Sequence, residues 1–310
     1  MNVLLFGGTR FIGKSLVYRL LSLGHVVTVV SRRNLPQKEN LTCWVGERSH
    51  SYADLKLQAF DCIIDFIAYS ENEVSDTLNA FPGCPYVLIS TCWIDALGQQ
   101  GRTFNCHERR YVESKFRAEK AVRDICGAER AFTICRLPIT FGNNDHSQRF
   151  SFYSYRLIQN KAILLINGGT NLTQIAFKDD ISLALSILIN KNLIGIEKIC
   201  DLLPANLVSP RELVRNIADA LKVSPKIRDI ASNELEKNLP TYHLMEPLWR
   251  ELPISSKLPN LNDMVGVLPV HASDWIKDLC SLKDNLQPIK LTEAFAPDLL
   301  AEELRLVNCS

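Results

Sequence analysis

Tyr111 and Lys115 stand four residues apart in YVESK, so in a helix they share one face. The pairing has chemical content. A free phenol titrates at about 10 and is a poor base at neutral pH, but a neighbouring ammonium stabilises the phenolate and brings it into working range. A phenol primed in this way can take the proton of an alcohol as hydride leaves, or return one during reduction. The same spacing also arises in helices where the tyrosine packs and the lysine is solvated, so the surroundings decide.

The run before that helix, YVLIST, ends at Thr91. The tip of a parallel strand faces the crevice where such sheets bind ligands. There the Thr91 hydroxyl can bond the reacting oxygen and hold it against Tyr111; alternatively it caps the strand end.

GGTRFIG at 7–13 lies between the first apolar run and the first helical pattern, the setting that a dinucleotide fingerprint requires. Gly7 permits the tight turn, Gly13 permits close helix packing, and free N–H groups at the helix start can hold a pyrophosphate. Arg10 stands where a middle glycine is usual. The cofactor-binding candidates here are Gly7, Thr9, Arg10, Phe11, Ile12 and Gly13. At the tip of the second strand, TVVSRRN offers Ser31, Arg32 and Arg33 in place of an acidic residue. Hydroxyl and guanidinium suit a 2′-phosphate, which favours NADP(H) over NAD(H). An arginine can also stack on adenine or simply face water.

The elements that must position these residues follow from periodicity. Short β-branched runs at 3–6, 26–30, 62–66, 86–90 and 132–136 alternate with helical patterns at 10–23, 71–80 and 108–125. Strand, helix, strand repeated in this way gives right-handed crossovers and a parallel sheet covered on both faces, a doubly wound α/β fold. After Pro138 the alternation weakens. The pattern places a helix at 150–160, a short strand at 162–166, a helix at 179–190, a strand near 197–202 and a helix at 210–221. The reading is a dinucleotide-binding domain over 1–165, with 175–203 returning to its sheet. Residues 204–310 form a smaller C-terminal α/β substrate lobe, and leucines 299, 300, 304 and 306 give its tail an amphipathic spacing.

Composition narrows the partners. The 310 residues, at roughly 150 per domain, suggest two domains. Lys+Arg number 35 against 34 Asp+Glu, so no global field favours nucleic acid or an anionic membrane. No apolar run reaches the length of a membrane span, and MNVLLFGGTR lacks the flank of a signal peptide. The ten cysteines include no CxxC pair and several lie in apolar runs, which suggests reduced thiols and a cytoplasmic protein. Neither HExxH nor GxSxG occurs, so no metal site is expected and serine hydrolysis is disfavoured.

Taken in order, these segments resemble the short-chain dehydrogenase/reductase superfamily, in its extended and atypical branch of NAD(P)-dependent nucleotide-sugar epimerases, dehydratases and reductases. GGTRFIG is similar to the family's glycine motif, FDCIIDFIAY to its fourth strand and following loop, ISTCWI to the Ser/Thr segment, and YVESK to the catalytic pair. CRLPITFG, NGGTNLTQIAFKDD and SSKLPNLNDMVGVLP resemble later family segments. The resemblance implies a Rossmann fold, Tyr111 as acid/base, Lys115 bonding the nicotinamide ribose and Thr91 orienting substrate. It further implies that Phe66, Ile67 and Ala68 line the cofactor, that Leu137 lies near the nicotinamide, and that a homodimer forms through helices 71–80 and 108–125. Cys92 and Trp93 follow Thr91 where dehydratases place acidic residues, which disfavours dehydration.

The leading expectation is an epimerase or oxidoreductase acting on a secondary alcohol or ketone of a nucleotide sugar. The alternatives are an NADPH-dependent ketone reductase, a stem-loop RNA-binding protein of the same fold, and a redox sensor that binds cofactor without turnover. No Lys/Arg run exceeds two residues, which argues against nucleic acid as a partner. His107, Arg109 and Arg110 could meet a substrate anion or form a solvated turn. Arg149 and Arg250 are further anion candidates, and Tyr242 and Trp249 could stack on a base or pack.

Overall fold

Apolar runs of the N-terminal half build six strands of one parallel sheet, and a later strand completes it. The structure, a computed structural model, describes residues 1–97, 106–145, 149–204, 206–231 and 257–282, with only the backbone of 106–108. The chain begins β1 (Asn2–Phe6), α1 (Phe11–Ser22), β2 (Val26–Ser31), β3 (Leu41–Val45), α2 (Arg48–Leu55) and β4 (Cys62–Asp65). It continues α3 (Glu71–Ala80), β5 (Tyr86–Thr91), a 3-10 turn (Cys92–Ala96), α4 (Cys106–Cys126) and β6 (Phe132–Leu137). Next come β7 (Ile139–Phe141), α5 (Arg149–Ile158), β8 (Ile163–Ile166), β9 (Ile175–Phe177), α6 (Lys178–Asn190) and β10 (Ile199–Asp201). After these stand α7 (Pro210–Leu221), β11 (Ile227–Ile230) and the helices Leu261–Val265 and Ala272–Ser281.

Seven strands form the sheet in the order β10-β6-β5-β4-β1-β2-β3, every pair parallel. All residues of β4, β5 and β6 are buried, as strands covered on both faces must be. On one face Leu4, Phe6, Ile63, Leu88 and Ile134 pack with Val74 and Leu78 of α3 and with Ala118 and Val122 of α4. On the other, α1 buries Leu16, Val17 and Leu20. Ser15 of α1 donates to Asp179 of α6 at 2.6 Å, and the Arg19 guanidinium donates to the Ser182 hydroxyl at 2.9 Å. Register sets the strand tips level: Phe6 pairs with Val30 and Asp65, and Thr91 pairs with Leu137. The sheet order reverses between β1 and β4, which opens a crevice beyond their carboxyl ends.

Two compact units divide the chain. The first takes its described residues from Met1–Thr140, Lys178–Leu203 and Ser255–Pro269. The second takes them from Phe141–Phe177, Pro204–Ile254 and Val270–Ser310. The division thus falls at 140, earlier than the boundary at 165 read from the sequence. The physical reason is pairing: β8 joins β11 in its own parallel pair and not the large sheet. Within the second unit the Trp275 ring stacks on Phe177 at 5.8 Å and lies 5.9 Å from Phe141. A capping box of Ser209 and Glu212 starts α7. Among the described residues, no helix is long and apolar enough to cross a membrane.

Candidate active site

The glycine turn joins β1 to α1. Gly7 has φ +90°, a left-handed value that side chains rarely adopt, and its N–H donates to Val30 O at 3.0 Å. A Cβ at Gly13 would stand 2.6 Å from Gly7 O, and one at Gly7 would stand 2.7 Å from Ile67 Cγ2. These glycines therefore allow α1 and the β4–α3 loop to close on the turn. Arg10 is exposed and N-caps α1 in an extended conformation without a side-chain bond, and the first turn of α1 has no acidic residue. Phe11 and Ile12 are buried, Phe11 at φ +44°. The Thr9 and Ser31 hydroxyls lie 2.7 Å apart, and Arg33 N donates to Ser31 Oγ at 3.3 Å. Arg32 and Arg33 are exposed.

The loop after β4 is held from two sides. Asp65, fully buried, accepts the N–H of Ile67 at 3.0 Å, the Tyr86 hydroxyl at 2.8 Å and Arg48 Nη2 at 2.5 Å. Arg48 also donates to Thr77 Oγ1 at 2.7 Å. From α4, Lys115 Nζ donates to Phe66 O at 3.3 Å, Ala68 O at 3.1 Å and Ile89 O at 2.9 Å. Lys115 is only 2% exposed, and burial pushes its ammonium down to about 8, against the attraction of Asp65 and Glu73. Its Nζ lies 4.3 Å from the centroid of the Tyr69 ring.

Thr91 and Leu137 stand side by side at the tips of β5 and β6. Thr91 Oγ1 accepts the N–H of Trp93 at 3.3 Å and so caps the 3-10 turn. A buried network fixes that turn: Arg136 bonds both Glu119 oxygens at 2.8 and 2.7 Å and Asp95 Oδ1 at 2.6 Å, while Ser90 donates to Glu119 at 2.6 Å. Tyr111, one helical turn before Lys115, is 38% exposed, with its ring 6.2 Å from that of Tyr69. Phe66, Ile67 and Ala68 run beneath Lys115, with Ile67 also against Gly7.

The other described candidates form ion pairs of their own or are exposed. Arg109 pairs with Glu113 at 3.6 Å on the exposed side of α4, Arg110 is exposed, and Arg149 pairs with Asp145 at 3.5 Å. The side chain of His107, and all of Tyr242, Trp249, Arg250 and the leucine-rich tail, lie outside the described residues. Arg48, Asp65, Tyr69 and Glu119 belong to the site without standing in any of the sequence motifs' functional positions. Two carried a signal: Asp65 interrupts an apolar run, and Glu119 stands one turn after Lys115 on the same helix face. Among the described residues, no group of three side chains could hold a metal ion.

No protein-family model matches the chain, and no curated protein sequence matches it. Solved structures do. A dTDP-glucose 4,6-dehydratase from Bacillus anthracis in complex with NAD superposes with TM-score 0.69 at 15% identity, covering 91% of this chain and 96% of its own. The UDP-N-acetylglucosamine 4-epimerase of Bacillus cereus gives 0.65 at 12% identity over 93% of this chain and 100% of its own. The UDP-glucose 4-epimerase of Thermotoga maritima, with UDP-glucose, gives 0.64 at 13% identity over 89% and 96%. These structures are extended short-chain dehydrogenase/reductases. The seven-stranded parallel sheet with its flanking helices therefore has the Rossmann-like fold of that superfamily, as the motifs led one to expect.

Proposed function

We propose that the chain is an NAD(P)-dependent enzyme of the extended short-chain dehydrogenase/reductase type, acting on a secondary alcohol or ketone of a nucleotide sugar, with epimerisation as the reaction. One observation carries the reading: a buried Lys115 ammonium lies one turn from the exposed Tyr111, and Lys115 reaches the loop that follows β4. The glycine turn fits a dinucleotide, since neither a capping side chain from Arg10 nor an acidic residue occupies the start of α1.

A bound nicotinamide would supply the hydride chemistry. Gly7, Thr9, Arg10, Phe11, Ile12 and Gly13 would cradle the pyrophosphate, with the exposed Arg10 guanidinium at the anion. Ser31 and Arg32 suit a 2′-phosphate, which favours NADP over NAD. Phe66, Ile67, Ala68 and Leu137 would line the nicotinamide end. Thr91, whose oxygen already accepts from Trp93, keeps its O–H to orient the reacting oxygen. Tyr111 takes the proton of the substrate alcohol or returns it. Lys115 spends its three N–H bonds on carbonyls, so a ribose hydroxyl would replace the longest, to Phe66 O. The second compact unit supplies the substrate lobe. The buried Cys92 follows Thr91, and the next carboxylate, Asp95, is bound by Arg136, which favours epimerisation over dehydration. Exposed Phe116 and Ile125 on α4 support a homodimer, which light scattering of the full chain checks.

Incubation with cofactor and a panel of UDP- and dTDP-sugars tests the reading. The expected result is an epimeric product by NMR without net change at 340 nm. Tyr111→Phe should lower turnover by about 10²- to 10⁴-fold with cofactor affinity unchanged. A variant as active as the parent would refute the assignment. Stoichiometric NADPH consumption would establish instead the second reading, a net reductase, which the Ser31, Arg32 and Arg33 cluster favours.

A further inference from the structure

We infer that Tyr69 is a positioning residue for Lys115: its ring face covers the buried ammonium and holds that charge beside Tyr111. The inference rests on the roles given above to Tyr111 and Lys115.

The Lys115 charge is met mainly by neutral groups. Its three N–H bonds go to the carbonyls of Phe66, Ala68 and Ile89, which are neutral. Among the described residues no carboxylate forms an ion pair with it. The charged groups that face Lys115 are Asp65 on β4, Glu73 on α3, Arg48 on α2 and Glu119 on its own helix. The three carboxylates are engaged elsewhere. Asp65 is held by Arg48, Tyr86 and Ile67 N; Glu119 is held by Arg136 and Ser90; Glu73 accepts Tyr69 N at 2.7 Å and the Ser70 hydroxyl at 3.2 Å. The Tyr69 ring, with its centroid 4.3 Å from Nζ, then contributes negative quadrupole density at contact range.

Tyr69 is fixed for this purpose by the loop that Lys115 itself clamps. Ala68 O accepts from Nζ, and Tyr69 N–H donates to Glu73 at the start of α3. Burial, then Asp65 and Glu73, push the Tyr69 phenol up from its ordinary value, so it stays neutral and leaves the acid/base task to Tyr111. The two rings lie 6.2 Å apart at 53°. Only the face of Tyr69 is required, so phenylalanine should replace it and an aliphatic residue should not.

The test uses full-length protein labelled with ¹⁵N-lysine, the Lys115 ammonium being identified by its loss in Lys115→Met. Its protons should resonate upfield through the ring current of Tyr69, and its midpoint should lie at about 8. Tyr69→Phe should preserve both. Tyr69→Leu should abolish the upfield displacement and lower the midpoint by about one unit, because a desolvated cation–π contact is of that size. The alkaline limb of the kcat profile should move with it. An unchanged Lys115 resonance and midpoint in Tyr69→Leu, or a Tyr69→Phe variant that behaves like it, overturns the inference. If Tyr69→Leu does not fold, Tyr69→Trp carries the test: its midpoint should equal or exceed that of the parent, and a lower one overturns the inference. The NMR readout needs no substrate, so absence of turnover would count against the proposed function alone.

Discussion

Gly13 lies against the carbonyl oxygen of Gly7, so close that a Cβ at position 13 would stand 2.6 Å from that oxygen and 3.1 Å from Gly8 Cα. Both near atoms are backbone, which cannot rotate aside as a side chain can. Gly13→Ala should therefore push α1 away from the turn, destabilising the protein by about 1–3 kcal/mol as an overpacked site does. Urea unfolding measures the loss, and calorimetric titration with NADP should show weaker binding.

Arg48 and Asp65 form a buried ion pair at 2.5 Å, with Asp65 fully enclosed. Arg48→Met leaves the carboxylate without its cation and should cost about 3–5 kcal/mol. The double variant Arg48→Met/Asp65→Asn should recover part of that loss, because no uncompensated charge then remains. Chemical unfolding of the three proteins checks the order; a double variant less stable than Arg48→Met would contradict it.

The depressed Lys115 ammonium gives a pH dependence of definite sign. In the unfolded chain the lysine holds its proton up to about 10.4, whereas in the folded protein it releases it at about 8. Between these values the unfolded state binds more protons, so this group makes stability rise with pH across the window. The stability of the parent relative to Lys115→Met should thus increase from pH 8 to pH 10. Turnover should respond oppositely, falling above about pH 8 as the charge proposed to stabilise a Tyr111 phenolate is lost.

Arg32 is exposed beside Ser31, whose hydroxyl lies 2.7 Å from that of Thr9. Arg32→Asp would place a carboxylate where a 2′-phosphate is proposed to bind. The ratio of NADP to NAD affinity should shift toward NAD, and fluorescence titration with both cofactors reads it directly. An unchanged ratio would count against the assignment.

Much of the sheet was legible because its inner strands are uninterrupted apolar runs; YVLIST can hardly be anything but a strand buried on both faces. β3 and α2 were not read. β3 is an edge strand with partly exposed residues, and α2 buries only Arg48, Ser51 and Leu55, so neither shows a clear apolar period. β11, Ile227–Ile230, has two charged residues among four and gave no strand signal. At the site, the spacing of Tyr111 and Lys115 was readable because a helix converts four residues into one face. The acceptors of Lys115 were not, since backbone carbonyls have no signature in a sequence. The partnership of Arg48 and Asp65 depends on β3 and β4 delivering their tips to one place, a consequence of topology.

The sheet is finished late. β10 pairs with β6, yet the chain must first produce everything from Phe141 to Phe177, and then α6, before Ile199 emerges. During synthesis on the ribosome the N-terminal unit consequently spends an interval with one flank open, its unpaired β6 backbone available to any passing strand. No single cut in the gene can release that unit as a finished piece, and a nascent chain stalled before residue 199 would be the species most in need of a chaperone.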